Sequence, residues 1–308
     1  MINRNIINYQ GYITMDQKMT AFTQSPNIIK GSLFAIFAFF CMAIFGILTK
    51  EGYKSGSAIW VSFITYSIAT VGISILILPQ GMAALKSKHY SYLIVRAVIG
   101  TVASFLYMIS MRYISIINST LLFNTAPLFI PLISILCLKI PVQKNVGYAV
   151  ALGFIGILVI IKPGSDIFTD PGNVIGLLSG VALAIAYLIM KLLTSTETGL
   201  RIIFYYFSIG MLIQSPLLLF ATPLPSLENF SYALFSGIFL LLAQLGLVKS
   251  YTYATASQVG VYQYSSIVFV GIIEWLMWGK TPGLLDFVGF ILVAIAGIII
   301  IRSRATLN

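Results

Sequence analysis

Charged side chains are what this chain has least of: 8% of its 308 residues are Asp, Glu, Lys or Arg. A soluble domain carries roughly a quarter, so water is not the solvent for most of this surface. Histidine occurs once, and cysteine twice, at Cys41 and Cys137. Both cysteines sit inside apolar runs, which excludes a disulfide framework or metal centre and reads as two small buried hydrophobes. Also missing are a Walker lysine motif, a Gly-rich phosphate loop and a hydrolytic triad pattern. That leaves no clustered catalytic set, and argues against ATP-driven pumping by this chain alone. The longest connections, near 79–90 and 162–172, are about a dozen residues, too short to hold a soluble domain.

What is present is apolar: 59% of the residues are hydrophobic and the mean hydropathy is +0.98. The net charge of +10 is scattered between apolar segments. No basic patch interleaved with aromatics appears, which argues against nucleic acid as a partner. Residues 1–29 are polar and Asn-rich, with no apolar core of signal-peptide length. They read as a cytoplasmic tail, or as sequence upstream of a later start such as Met15 or Met19.

A bilayer core needs roughly 20 mostly apolar helical residues. Ten segments qualify: 31–49, 57–78, 91–111, 115–138, 145–162, 173–193, 201–221, 231–251, 257–278 and 283–302. The fold class expected is therefore an all-α polytopic membrane protein of ten transmembrane helices. With the N-terminus inside, Lys50, Lys54, Arg112, Lys162 and Lys280 lie outside, and the other thirteen of the 18 basic residues lie inside. This asymmetry places both termini in the cytoplasm.

The chain also repeats itself. At a shift of 141, Gly31 meets Gly172, Lys50 meets Lys191 and Phe63 meets Phe204; at 140, Tyr113 meets Tyr253 and Phe129 meets Phe269. Five spans per half make the copies enter the membrane upside down relative to each other, the architecture of alternating access around a midplane site. The expected units are a tail 1–29, a first repeat 30–162, an outer linker 163–171, a second repeat 172–302 and a tail 303–308.

Two spans carry polar groups at a depth where lipid tolerates few. In the ninth, Thr255, Gln258, Tyr262 and Ser265 fall at helical spacing on one side; their counterparts in the fourth are Ser115, Asn118, Leu122 and Thr125. Such groups either line a watery cavity or bond neighbouring helices as packing glue. Asn124, Gln244 and Gln263 extend the polar set, and Tyr107 and Tyr187 supply amphipathic wall. Pro127 and Pro131 free carbonyls in the fourth span, as tolerated kinks or as a flexing point. Glu274 is the only carboxylate well inside a span; it either titrates during transport or pairs with Lys280 or Lys50. Lys50, Lys191 and Arg96 are expected to snorkel to the headgroups.

These features carry a resemblance. Tyr113-Ile114-Ser115-Ile116-Ile117-Asn118-Ser119 followed by Pro127, Gly147 through Gly156-Ile157, Tyr253-Ala254-Thr255-Ala256-Ser257 and Gly289 through Gly297-Ile298 resemble the drug/metabolite transporter superfamily, EamA branch. The resemblance covers about residues 30–302. It implies a permease for amino acids, S-adenosylmethionine, nucleotide-like metabolites or drugs. It also implies a central cavity lined by spans one, three, four, six, eight and nine. The family often has Glu shortly after spans four and nine; Lys139-Ile140 and Lys280 stand there instead, so no contact by that acid is carried over.

The reading that results is a secondary transporter in the bacterial inner membrane, moving a small polar or amphipathic metabolite. A channel-like facilitator or lipid translocator of the same architecture is the alternative. The partners in view are a small-molecule solute, membrane lipid and a coupling proton, with no cofactor and no nucleic acid; a homodimer stays open.

Overall fold

The computed structural model describes residues 26–54, 57–110, 113–114, 116–139, 142–161, 170–279 and 283–302. The tails 1–25 and 303–308, the linker 163–169 and Lys280 lie outside the described residues. Among the described residues twelve α-helices follow one another: α1 Ile28–Lys54, α2 Ala58–Ile77, α3 Tyr90–Ser110, α4 Ile116–Phe123, α5 Ala126–Leu136, α6 Lys144–Ile161, α7 Pro171–Leu193, α8 Gly199–Gln214, α9 Leu227–Tyr253, α10 Ala256–Tyr262, α11 Ser265–Trp278 and α12 Leu284–Arg302. No strand occurs among the described residues. Eight helical stretches are long and apolar enough to cross a membrane, and two shorter apolar helices, Lys144–Val159 and Phe287–Ile300, accompany them. The outward faces carry Leu33, Val71, Ile75, Leu132, Val174, Leu212 and Ile291. In water that much apolar surface would aggregate; against acyl chains it is the ordinary exterior of a polytopic protein.

Helix limits follow local chemistry. Asp170 caps α7 by accepting from the Gly172 amide at 2.8 Å, with Pro171 in the first turn where its missing N–H costs nothing. Ser226 and Asn229 form a reciprocal capping box that starts α9. Cys41 is buried as expected, but Cys137 is exposed, because the last turn of α5 turns its side chains outward from the bundle.

The helix pairings recur when the two halves of the chain are exchanged. α1 packs along α9 as α7 packs along α3; α2 lies against α9 as α8 lies against α3. α10 and α11 lie on α1 as α4 and α5 lie on α7, while α6 with α12 and α2 with α8 pair across the halves. Two glycines show how closely the contacts repeat. A Cβ on Gly31 would lie 2.7 Å from Ala254, and one on Gly172 would lie 2.5 Å from Tyr113 and 3.0 Å from Ile114. Both crossings therefore need a residue with no side chain, the device by which membrane helices approach one another.

Candidate solute site

The fourth and ninth spans are not continuous helices. The fourth breaks at Asn124-Thr125, between α4 and α5, and the ninth at Gln263-Tyr264, between α10 and α11. The first break has a plain cause: Pro127 has no N–H to give the Phe123 carbonyl and its ring crowds that turn, so the helix restarts with proline in its first turn. The second contains no proline. There the backbone tightens to i→i−3 bonds, Gln263 to Gly260 at 3.0 Å and Tyr264 to Val261 at 3.3 Å. The Ser265 and Ser266 hydroxyls donate back to the carbonyls of Tyr262 and Gln263 at 2.6 and 2.7 Å. Serine bonding to the preceding turn bends helices, and here two in succession accompany a tightened turn in which Gln263 and Tyr264 stay in the right-handed helical region. Thr255, Gln258, Tyr262 and Ser265 consequently do not share one continuous helical face.

The two breaks touch. Gln263 Nε2 donates to Asn124 Oδ1 at 3.2 Å, and Asn124 Nδ2 donates to the Thr120 carbonyl at 2.9 Å. The Thr120 hydroxyl in turn shares a 2.9 Å bond with Tyr107, whose ring lies 4.7 Å from that of Phe123. Tyr107, Asn124 and Gln263 thus join in one polar chain between α3, α4 and the α10–α11 break. Its end is unsatisfied: Gln263 Oε1 is buried without a partner. A buried acceptor left unmade costs about 1–3 kcal/mol.

The other expected residues lie elsewhere. Gln258 accepts from the Thr255 amide at 3.0 Å while its own amide donates to the Thr255 hydroxyl at 3.3 Å, a capping box that starts α10. Tyr262 donates to Ser32 Oγ at 2.8 Å and the Gly297 carbonyl at 3.1 Å, tying α10 to α1 and α12. Glu274 accepts from Lys50 at 3.2 Å, with both side chains partly exposed. The side chain of Asn118 lies outside the described residues, as does Ser115.

Gln244 and Tyr187 belong to a second cluster, around a residue that sequence reasoning assigned to the headgroups. Arg96 is only 3% exposed. Its guanidinium carbon lies 3.8 Å from the centre of the Tyr206 ring, and its Nη2 donates to Gln244 Oε1 at 3.2 Å and faces Met190 Sδ at 3.6 Å. Tyr187 and Tyr251, with rings 5.9 Å apart, lie within electrostatic reach of it. Tyr206 also shares a 2.8 Å hydroxyl bond with Tyr66, its equivalent at the repeat shift of 140. The signal for an inward Arg96 was present: Gly100 and Ala103 at i+4 and i+7 put it on the small-residue packing face of α3. Lys191 likewise does not snorkel; it is buried and donates to the Tyr251 carbonyl at 2.7 Å.

Two families of broken or polar-cored helices, a lipid-compatible exterior and no metal-holding group of His, Cys, Asp or Glu among the described residues define a multi-pass helical membrane protein. The class is a transporter, not an enzyme. A model of the EamA-like transporter family matches residues 29–162 and again 170–303, and the chain belongs to that family. It is 28% identical to the pseudopaline exporter CntI of Pseudomonas aeruginosa, over 89% of this chain and 96% of that one. It is 26% identical to a riboflavin transporter of Brucella anthropi, over 83% and 90% of the two chains. Among solved structures, one chain superposes with a TM-score of 0.77 at 13% identity, covering 90% of this chain and 97% of that chain. At that identity the last similarity concerns the fold alone.

Proposed function

We propose that this EamA-family transporter is a secondary permease moving a small polar or amphipathic metabolite by alternating access. In this reading the chain makes ten crossings as two inverted five-span repeats, in the inner membrane with both termini in the cytoplasm. The observation that carries it is the meeting of the two broken spans through Asn124 and Gln263, at near-equivalent positions of the two halves. Discontinuous spans facing each other at a repeat interface are where such transporters hold solute. The recurrence of helix pairings on exchanging the halves supports the same reading. The relatives' names record different cargoes, pseudopaline and riboflavin, so the cargo follows from the side chains at the site rather than from the fold. Asn124, Gln263 and Tyr107 form the polar wall, with Gln244 and Tyr187 in the second cluster; Gln258 and Tyr262 fix α10, and Asn118 is kept as a solute contact on its sequence position alone.

The test is counterflow in proteoliposomes holding the purified protein, with a labelled metabolite panel, with and without a proton gradient. Saturable exchange of at least one solute, lost when Asn124 and Gln263 are both changed to Leu, is the expected result. Sustained conductance or lipid flipping without saturation would replace the permease by a channel or a translocator.

A further inference from the structure

Arg96 is the most expensive side chain in the molecule that the preceding reading leaves without work. It is a permanent cation, sealed in the bundle, and every partner it has is neutral: a ring face, an amide oxygen and a thioether. Nε and Nη1 have no hydrogen-bond partner. No acidic side chain faces it: among the described residues, Glu197 pairs with Arg201, and Glu274 pairs with Lys50. Buried charges in proteins are paired or hydrogen-bonded, because an uncompensated one costs several kcal/mol. A purely structural role would be served as well by Met or Leu in the same space. The cluster is also open in its chemistry elsewhere, since the Tyr251 hydroxyl is buried without a partner too.

Resting on the permease reading, we propose that Arg96 is an anion-binding residue on the transport path and that the solute carries a carboxylate, held at the unpartnered Nη1 edge of the guanidinium beside the Tyr206 ring. Nη1 and Nη2 leave that edge as parallel donors, which match a planar two-oxygen anion once Nη2 gives up its contact with the Met190 thioether. Tyr206, Tyr187 and Tyr251 give an adjoining flat or apolar portion a surface to lie on. Gly100 is part of the arrangement: a Cβ there would stand 3.1 Å from the Tyr206 ring and 3.3 Å from Nη1. Any side chain at that position presses on the donor that the carboxylate needs.

The experiment is counterflow in proteoliposomes of the full chain, using matched acid and amide probes: phenylalanine with phenylalanine amide, benzoate with benzamide, glutarate with glutaramide, and phenyl phosphate as a separate arm. Expected is exchange of one or more carboxylates at about thirtyfold or more the rate of the matched amide. Arg96→Gln should lose that exchange by a similar factor, as follows from removing one partner of a buried charge pair. Arg96→Lys should fall between, keeping charge but not the planar fork. Gly100→Ala should raise the half-saturation concentration several-fold with the maximal rate kept. Because Arg96→Gln can fail to fold, the wild-type acid-to-amide ratio and Gly100→Ala decide by themselves. Amides exchanging as fast as acids, acids unaffected by Arg96→Gln, or phenyl phosphate exchanging alone would overturn the carboxylate assignment and leave the permease reading standing. Failure of every probe, phenyl phosphate included, to exchange in the wild type would overturn both.

Discussion

One helix crossing occurs twice in this molecule with opposite chemistry. Where α3 meets α7, Arg96 faces Met190 at 3.6 Å; where α9 meets α1, Ser236 faces Thr49 at 2.6 Å. Ser236 is Arg96 at a shift of 140, and Thr49 is Met190 at a shift of 141. The backbone geometry is thus duplicated, while a cation has been placed on one copy only. A repeat supplies two equivalent positions and cannot by itself recognise an asymmetric solute; recognition has to come from the residues that break the equivalence. Tyr66 of α2 and Tyr206 of α8, bonded hydroxyl to hydroxyl, show a contact between the halves where the equivalence is kept.

The comparison breaks most severely if a cation is put on the other copy. Ser236 is fully buried and bonded to Thr49, so Ser236→Arg strands a charge where two small hydroxyls now satisfy each other. The expected loss is about 3–5 kcal/mol, read as a collapse of the melting midpoint and of monodisperse yield in detergent. Arg96→Met is the reciprocal experiment. An isosteric apolar side chain spares the desolvation cost, so the melting midpoint should hold or rise while carboxylate exchange disappears. A midpoint that drops as far as for Ser236→Arg would make Arg96 part of the scaffold.

Next in size is the contact of α7 with the first break. A Cβ on Gly180 would lie 2.6 Å from the Leu122 carbonyl oxygen and 2.5 Å from Thr125 Oγ1. The oxygen is backbone and cannot swing aside, so Gly180→Ala should cost roughly 1–3 kcal/mol. At the equivalent place in α1 stands Phe39, which is buried, and Phe39→Leu should be milder, because it removes volume rather than driving a side chain into a backbone oxygen. Equal losses would mean that the break itself does not demand the glycine. Smaller again is Gln258→Ala, at about 1 kcal/mol. Combined with Thr255→Ala it should add little, since both changes remove one capping box. Asn124 and Gln263 should couple by about 0.6 kcal/mol in a double-mutant cycle, a small stability term beside a large loss of exchange.

How much of this was readable beforehand depends on which physics each feature uses. The helices announce themselves because apolar length is a property of composition, and the break at Asn124-Thr125 announces itself through Pro127, whose missing N–H is written in the sequence. The break at Gln263-Tyr264 does not, because it is built from serine hydroxyls returning to their own backbone. Those same hydroxyls read, from sequence, as lining of a cavity. Gln258 was legible in principle: Thr255 and Gln258 three residues apart have the form of a capping box, but amides at membrane depth invite a solute reading first. Arg96 and Lys191 defeat sequence reasoning for a different reason. A long cationic side chain near a helix end can turn either way along the axis, and only the neighbours, here Tyr206, Gln244 and the Tyr251 carbonyl, decide which.

The pair of lysines that the repeat makes equivalent holds a mid-sized effect on one side and the smallest on the other. Lys191 is buried on the Tyr251 carbonyl, so Lys191→Met should cost about 1–3 kcal/mol by leaving that carbonyl short of a donor. Lys50 pairs with Glu274 at 3.2 Å, but their side chains are 46% and 26% exposed. Solvent and salt screen such a pair, whose worth is then about 0–1 kcal/mol. Glu274→Gln should therefore leave the melting midpoint nearly unchanged. It should also leave the pH profile of exchange where it was, because the pair is partly exposed and belongs to neither polar cluster. A pH profile that flattens in Glu274→Gln and returns in Glu274→Asp would instead make this carboxylate the coupling group, and the two equivalent lysines would then mark a working half and a structural half.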